Sequence, residues 1–264
     1  ILENASKQVG SVTKPGDFIV YESTVYPGVT ENICVPEIEK NSGLTFNKDF
    51  FVGYSPERVV PGDNNKKIRD ILKITSGSTK EAAKQIDGVY GEIIVAGTYI
   101  ADSIRVAEAA KLIENVQRDV NIALMNELFH TFSKIDLDIN SVIKAASTKW
   151  NFMGVNPGLV GGHCISVDPY YLLHQSEKTG FSSNLIRTAR EVNEGMPSTF
   201  CNDLLNKLIT NGIFPKNKDL AILGFSFKEN CPDIRNTKAE KVFKILKPLF
   251  RSVKIYDPII DQEE

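Results

Sequence analysis

The chain of 264 residues lacks the features that mark membrane, secreted and nucleic-acid-binding proteins. No apolar run approaches the roughly eighteen residues of a membrane span, and no basic start with an apolar core marks a secretory leader. The 31 lysines and arginines are spread among 33 acidic residues, which leaves a net charge of −2 and no basic patch. We therefore expect a cytoplasmic protein that binds neither nucleic acid nor membrane.

Cysteine is scarce, and its spacing excludes two further classes. The four cysteines, at 34, 164, 201 and 231, form no CxxC pair. A zinc knuckle or a disulfide framework would need regular spacing, so we expect separate thiols and no metal site. Cys34 and Cys201 lie in apolar patterns typical of packing.

Strands and helices alternate at both ends of the chain, which predicts an α/β fold with parallel sheets. A helical middle separates the two ends. We predict strands at 17–21, 50–54, 73–76, 92–96, 220–224 and 253–256. We predict helices at 30–40, 80–90, 101–134, 138–146, 169–179, 183–211 and 238–249. A helix as long as 101–134 usually connects domains or forms a dimer interface.

A glycine-built loop presents one cysteine. Gly158, Gly161 and Gly162 precede His163 and Cys164, and Asp168 follows four residues later. Three glycines let the backbone approach a ligand closely. If the loop opens a helix, Cys164 lies in its first turn, where the helix dipole and His163 favour the thiolate. The alternative is a small buried side chain, which is the commoner role of a lone cysteine.

Polar side chains also recur on the long helix, where Glu108, Lys111 and Asn115 share one face. A solvated stripe with an ion pair would explain them. The apolar neighbours around Lys111 instead indicate a partly buried ammonium, which needs a ligand or a reaction to justify its desolvation.

The ends of predicted strands supply further polar residues. Ser23 and Thr24 follow the first strand, and Glu57 follows the second, at the edge where doubly wound folds bind ligands. Lys228 and Arg235 lie on a loop between a strand and a helix near the carboxyl terminus. Such a loop can bind phosphate, although each segment could also be a simple polar turn.

Seven ordered motifs resemble those of the UDP-glucose/GDP-mannose dehydrogenase family. They are YESTVYPG, GYSPER, AEAAKLIEN, KWNF, PGLVGGHCISVDPYYL, GFSFK and DIRNT. The GGHCI and KWNF segments look most like the bacterial branch that acts on UDP-N-acetylhexosamines. The resemblance implies an NAD-dependent oxidoreductase that converts a sugar C6 alcohol to a carboxylate in two hydride transfers, for surface polysaccharide precursors.

The resemblance also assigns roles to residues. It makes Cys164 the nucleophile, Lys111 and Asn115 the oxyanion donors, and Glu57, Asp168 and Thr24 the residues that position and deprotonate water. The implied NAD contacts are Ser23, Thr24, Glu57, Cys164 and Arg235. The implied substrate contacts are Glu57, Arg58, Lys111, Asn115, Phe152, Gly158, Gly161 and Lys228.

The implied fold has two Rossmann-like parallel-sheet domains, both incomplete, joined by a long central helix and a helical middle domain. We expect residues 1–101 to be the remainder of an NAD-binding domain, 102–200 a helical dimerisation and catalytic domain, and 201–264 a partial UDP-sugar-binding domain. No GxGxxG follows any strand. We therefore expect a fragment that binds NAD weakly by itself and a homodimer formed through the central helix.

Other functions stay open at this point. The sugar could be UDP-N-acetylmannosamine or UDP-glucose in place of UDP-N-acetylglucosamine or UDP-N-acetylgalactosamine. A catalytically incomplete binding or oligomerisation module is an alternative, although such a module has no use for the thiol. A cysteine hydrolase using His163 is weaker, because adjacent residues do not readily face each other as nucleophile and base.

Overall fold

The computed structural model describes residues 1–60, 62 and 67–260. These residues divide into two compact units, Ile1–Glu114 and Asn115–Glu264. The helices are α1 Leu2–Val12, α2 Val35–Ser42, α3 Lys80–Gly91, α4 Ile104–Ser133, α5 Ile139–Ala146, α6 Asp168–Lys178, α7 Asn184–Thr210 and α8 Lys238–Leu246. The strands are β1 Phe18–Tyr21, β2 Phe51–Tyr54, β3 Lys73–Thr75, β4 Thr98–Ile100, β5 Asp219–Leu223 and β6 Ser252–Tyr256.

The strands form three parallel pairs, β1 with β2, β3 with β4 and β5 with β6. This confirms the α/β class with parallel strands. A single helix, α4, occupies most of the predicted 101–134 segment. The division between the two units falls within this helix, so its first residues pack in one unit and its remaining residues in the other.

One predicted strand is wrong. Residues 92–96 form turns, and the strand that pairs with β3 is β4, farther along the chain. The backbone amides of Ile93 and Ile94 both donate to the Tyr90 carbonyl at the end of α3. Gly97 then takes φ +88°, which turns the chain into β4. The apolar run resembles a strand, but its hydrogen bonds belong to the end of the helix.

In the first unit, the core lies under the β1–β2 pair. Strand and helix side chains share this core with the first turns of α4, and they include Ile38, Phe50, Val52, Tyr54, Ile104 and Ala107. Cys34 is fully buried among them, as its apolar pattern predicts. The two strands pair in parallel, so their carboxyl ends lie at one edge of the sheet.

The segment that continues β3, with Ser76 and Ser78, runs beside β2 in the opposite direction. The Ser78 amide donates to the Val52 carbonyl at 2.8 Å, and the Tyr54 amide donates to the Ser76 hydroxyl at 3.2 Å. The Ser55 hydroxyl donates to the Ile74 carbonyl at 2.7 Å. Partner numbers fall in one segment as they rise in the other, which is the antiparallel relation. The start of β3 therefore lies at the edge where β1 and β2 end.

The second unit has two apolar clusters. One joins α7, α8 and the β5–β6 pair around Cys201, Val242, Leu246 and Phe250. The other joins α4 and α5 around Met125, Ile139 and Ile143. Within the described ranges, no helix is both long and apolar enough to cross a membrane.

Glu108 of α4 connects that helix to the turn that precedes α2. Its carboxylate is fully buried and accepts three hydrogen bonds, from the Gly28 amide at 2.5 Å, the Thr30 amide at 3.0 Å and the Thr30 hydroxyl at 2.7 Å. A carboxylate has only acceptors, so every one of these donors is satisfied. Glu108 is thus structural in this unit, and it is a buried member of the helix face that it shares with Lys111 and Asn115.

We expect Glu108→Gln to lower the free energy of unfolding by roughly 2 kcal/mol, because the amide group would direct its own N–H at a donor. Urea unfolding of both forms measures the loss. Glu127→Gln, an exposed glutamate of the same helix, is the control and should change stability by less than about 0.5 kcal/mol. Equal stabilities of the Glu108→Gln form and the unsubstituted protein would contradict the assignment.

Candidate functional site

The edge at the ends of β1 and β2 collects the polar residues expected there. Ser23 and Thr24 follow β1, and Glu57 and Arg58 follow β2. The parallel register pairs the last residues of the two strands, so both segments leave the sheet on the same side. Arg58 is held by Glu114 at 2.7 Å and by the Leu72 carbonyl at 3.0 Å.

Lys111 reaches this edge from α4. Its Nζ donates to the Glu57 carbonyl oxygen at 2.6 Å, and the side chain is half-buried. A solvated stripe would leave the ammonium in water, so the partly buried alternative is the one that the structure supports. Within the first unit, Lys111 and Glu57 therefore lie together.

The sequence motifs did not predict Lys73, which lies beside Glu57, or its contact with Glu22. Lys73 places its Nζ 2.9 Å from Glu22 Oε1 and 3.8 Å from Glu57 Oε2. The Tyr90 hydroxyl donates to the same Glu22 oxygen at 2.7 Å. Although burial opposes the shift, hydrogen bonds from Tyr90 and Lys73 lower the pKa of Glu22. The one sequence signal for this contact was Lys73 itself, a lysine inside an apolar strand pattern. The periodicity of the strand does not indicate which residue pairs with it.

In the second unit, Cys164 lies in a run of turns at 162–167, and α6 begins after it at Asp168. The expectation that Cys164 lies in the first helical turn is therefore wrong. Pro169 explains the difference, because it has no N–H to donate to the Ile165 carbonyl, and proline favours a helix start. The Asp168 amide still donates to the Cys164 carbonyl at 2.8 Å, which forms a single helix-like turn.

Asn115 and Asp168 meet beside this turn. The Asn115 side-chain amide donates to Asp168 Oδ2 at 2.6 Å, and both residues are buried. The Asp168 backbone is in turn bound to the cysteine segment. The second unit therefore brings together three of the predicted residues: Asn115 contacts the Asp168 carboxylate, and the Asp168 amide contacts the Cys164 carbonyl.

Close packing explains two of the loop glycines. A Cβ on Gly161 would lie 2.9 Å from the Asn236 carbonyl oxygen. Gly162 has φ +81°, and its Cβ would lie 2.7 Å from the Phe227 ring. Gly158 has open space around it. The glycines at 161 and 162 therefore let the cysteine loop lie against the segment around 227–236.

His163 and Asp233 also lie at this contact. His163 packs edge-on against Phe227, with ring centres 5.8 Å apart, and its Nδ1 lies 3.7 Å from Asp233 Oδ2. Hydrogen bonds from Arg235 lower the pKa of Asp233 to about 2, so it is ionised at neutral pH. The exposed Arg235 and the half-buried Lys228 flank the same contact. Phe152 packs elsewhere, against the Met125 cluster.

A buried polar network positions the start of the loop. Asn126 of α4 binds both backbone groups of Gly158, donating to its carbonyl at 3.0 Å and accepting from its amide at 2.8 Å. Asn126 also donates to Asn193 at 2.8 Å, and Asn193 donates to Asp119 at 2.7 Å. Sequence reasoning missed these residues, because amides within helices carry no periodic signal.

The network continues to α8. Arg190 binds Asp119 at 2.6 Å and Glu194 at 2.5 Å, and Glu194 accepts from Lys238 at 2.6 Å. In the described part of the chain, no group of three or more His, Cys, Asp or Glu side chains is arranged to hold a metal ion.

Three family models match the chain. They are the NAD binding domain, the central domain and the UDP binding domain of the UDP-glucose/GDP-mannose dehydrogenase family, at residues 1–94, 105–195 and 221–264. These matches confirm the resemblance inferred from the motifs.

Curated relatives and solved structures agree with the family models. UDP-N-acetyl-D-glucosamine 6-dehydrogenases from Salmonella typhi and Pseudomonas aeruginosa are 53% and 50% identical over the whole chain, which spans 62% of each. The structure of a UDP-D-ManNAc dehydrogenase from Pyrococcus horikoshii matches with a TM-score of 0.91 at 34% identity, over 98% of this chain and 61% of that one. The chain thus spans less than two thirds of the length of these relatives.

We expect Gly162→Ala to lower the free energy of unfolding of the second unit by about 1–3 kcal/mol, because φ is positive and the Phe227 ring must move. Gly158→Ala is the matched control and should have a small effect. The double variant Gly162→Ala with Phe227→Ala should regain the stability lost to the clash with the ring. The loss caused by the positive φ should remain. Equal melting of the two alanine variants would argue against the close approach.

Proposed function

Because the chain belongs to the UDP-glucose/GDP-mannose dehydrogenase family, we propose that it carries catalytic residues of an NAD-dependent UDP-N-acetylhexosamine 6-dehydrogenase. The product would be the corresponding uronic acid, a precursor of bacterial surface polysaccharides. Two relatives at about half identity are UDP-N-acetyl-D-glucosamine 6-dehydrogenases, which favours that sugar over its epimers.

The group formed by Cys164, Asp168 and Asn115 carries this proposal. Cys164 offers a thiol on a glycine loop. The buried Asp168 follows it by one turn and binds the side-chain amide of Asn115. These groups suit a reaction that needs a nucleophile and an oxyanion donor. A protein that only binds nucleotide-sugars needs no thiol.

The first unit fits part of a dinucleotide. Parallel strands that end at one edge, followed by Ser23 and Thr24, offer the type of crevice where doubly wound folds bind nucleotides. Glu57 lies at the same edge, and Arg235 of the second unit is a further proposed contact. The glycine-rich turn for the pyrophosphate is not in this sequence. When bound, NAD supplies the acceptor for two hydrides.

The residues of this chain would perform the remaining chemistry. The Cys164 thiolate adds to the C6 aldehyde, and the carbon–sulfur bond of a thiohemiacetal forms. Lys111 and Asn115 would stabilise the oxyanion on that carbon. Oxidation of the adduct leaves a thioester, which water cleaves. Glu57 and Asp168, with Thr24, would position that water and accept its proton.

Substrate contacts are proposed for the same two groups of residues. Arg58, Phe152, Gly158, Gly161 and Lys228 would hold the UDP-sugar together with Glu57, Lys111 and Asn115. A panel of UDP-N-acetylglucosamine, its galacto and manno epimers and UDP-glucose, each assayed with NAD, tests the choice. NADH formation with UDP-glucose alone, or with none of the four sugars, would overturn the proposal.

The assembly is also a proposal. We propose the domain bounds 1–101, 102–200 and 201–264, a homodimer formed through α4, and a place of action in the cytoplasm, where nucleotide cofactors are available. Exposed apolar side chains on α4, among them Val106, Ile113 and Leu124, support a partner helix. Sedimentation of the protein with and without a charge at Ile113 would test the dimer.

Cys164→Ser should lower turnover by several orders of magnitude, because a hydroxyl is a poor nucleophile and would leave a bound ester. NADH formation measures the loss in a form of the protein that is active before substitution. Cys201→Ser, at a cysteine buried in the α7–α8 cluster, is the matched control for loss of a thiol. Undiminished turnover by the Cys164 variant would refute the nucleophile.

Lys111→Ala should lower the turnover number by about 10²-fold with a modest change in substrate binding, the effect of losing one oxyanion donor. Arg118→Ala removes an exposed cation from the same helix and should leave the rate unchanged. Steady-state kinetics and a melting curve separate catalysis from stability. If the two variants behave alike, Lys111 is not an oxyanion donor.

A further inference from the structure

Lys73 is a buried lysine that the proposed mechanism does not use. It is the first residue of β3, and only 3% of it is exposed. A buried ammonium loses much of its hydration, so it persists only where opposite charges and hydrogen bonds compensate it. The groups that compensate Lys73 therefore indicate what it does.

Two carboxylates and a ring surround the ammonium. Its Nζ lies 2.9 Å from Glu22 Oε1, 3.8 Å from Glu57 Oε2 and 5.2 Å from the centre of the Tyr90 ring. Because the chain at 74–78 runs against β2, the start of β3 lies where β1 and β2 end. Lys73 thus joins the segment that follows β1 to the segment that follows β2.

Each oxygen of the Glu57 carboxylate lies near a nitrogen of the first unit. Oε1 accepts from the Val59 amide at 2.6 Å, and Oε2 faces Lys73. The Glu57 backbone carbonyl accepts from Lys111. About 42% of the side chain stays exposed, so the carboxylate is oriented from one side and open on the other. This arrangement suits a carboxylate that binds a water molecule.

We propose that Lys73 is a positioning residue for Glu57, which it orients for the hydrolytic half of the reaction. The inference rests on the proposed function, in which water cleaves the Cys164 thioester. Water adds to the thioester carbonyl carbon, and the carbon–sulfur bond breaks. Cys164 leaves as the thiolate, and one proton of the water passes to the Glu57 carboxylate. The formation of the thioester needs no such water.

This role predicts a defect confined to one half of the reaction. Lys73→Met keeps the length of the side chain and removes the charge. Glu22 and Glu57 are both nearly half exposed, so water can solvate them when the ammonium is gone. Thioester formation should then proceed, and thioester hydrolysis should slow by about tenfold or more, because the water is misplaced.

The experiment follows the covalent adduct. An active form of the protein is mixed with UDP-N-acetylglucosamine and NAD, and NADH and intact mass are recorded with time. Lys73→Met should give a burst of about two NADH per subunit, then slow turnover, with an acyl adduct on Cys164. Lys73→Arg, which keeps the charge, should restore most of the hydrolysis rate. Lys73→Gln repeats the test if the methionine variant fails to fold.

Two further variants separate the possible failures. Glu57→Gln should accumulate the same adduct, and Lys73→Met combined with Glu57→Gln should be no slower than Glu57→Gln alone. Lys84→Met, at an exposed lysine of α3, should behave like the unsubstituted protein. An adduct with Glu57→Gln but none with Lys73→Met would overturn the positioning role. Normal turnover by Glu57→Gln would overturn the proposed role of Glu57 itself.

Discussion

The buried ion pair between Asp119 and Arg190 is the interaction on which the packing of the second unit depends. Both side chains are almost completely removed from water. Burial raises the pKa of Asp119, and Arg190 and Asn193 oppose that shift. Removing one partner of such a pair costs about 3–5 kcal/mol, because the other charge stays buried. Asn193 and Glu194 extend the pair to the cysteine loop on one side and to α8 on the other.

Carboxylates in the first unit differ in how far their neighbours enclose them. Glu108 is closed, since three donors occupy it and no water reaches it. Glu57 is held from one side only, by an amide and an ammonium. A closed carboxylate fixes the backbone around it, whereas an open one keeps capacity for a ligand. The same residue type thus serves structure at one position and is available for chemistry at another.

The sequence predicted most of the helices and strands, because apolar periodicity and glycine or proline at segment ends determine them locally. The prediction failed at residues 92–96, where a strand was expected. The backbone amides there instead bind carbonyls at the end of α3. The prediction also misplaced Cys164, because a proline sets the start of α6. Motifs supplied the proposed site residues. Lys73, Asn126 and Asp119 escaped, since their partners are distant in sequence and pairing across a fold leaves no spacing to recognise.

The contact between Asn126 and Gly158 involves only backbone atoms of the loop. An amide side chain that binds a peptide N–H and its C=O places no demand on the side chain at that position. Because the space beside Gly158 is open, a side chain could replace this glycine while the Asn126 contact keeps the path of the loop at that position.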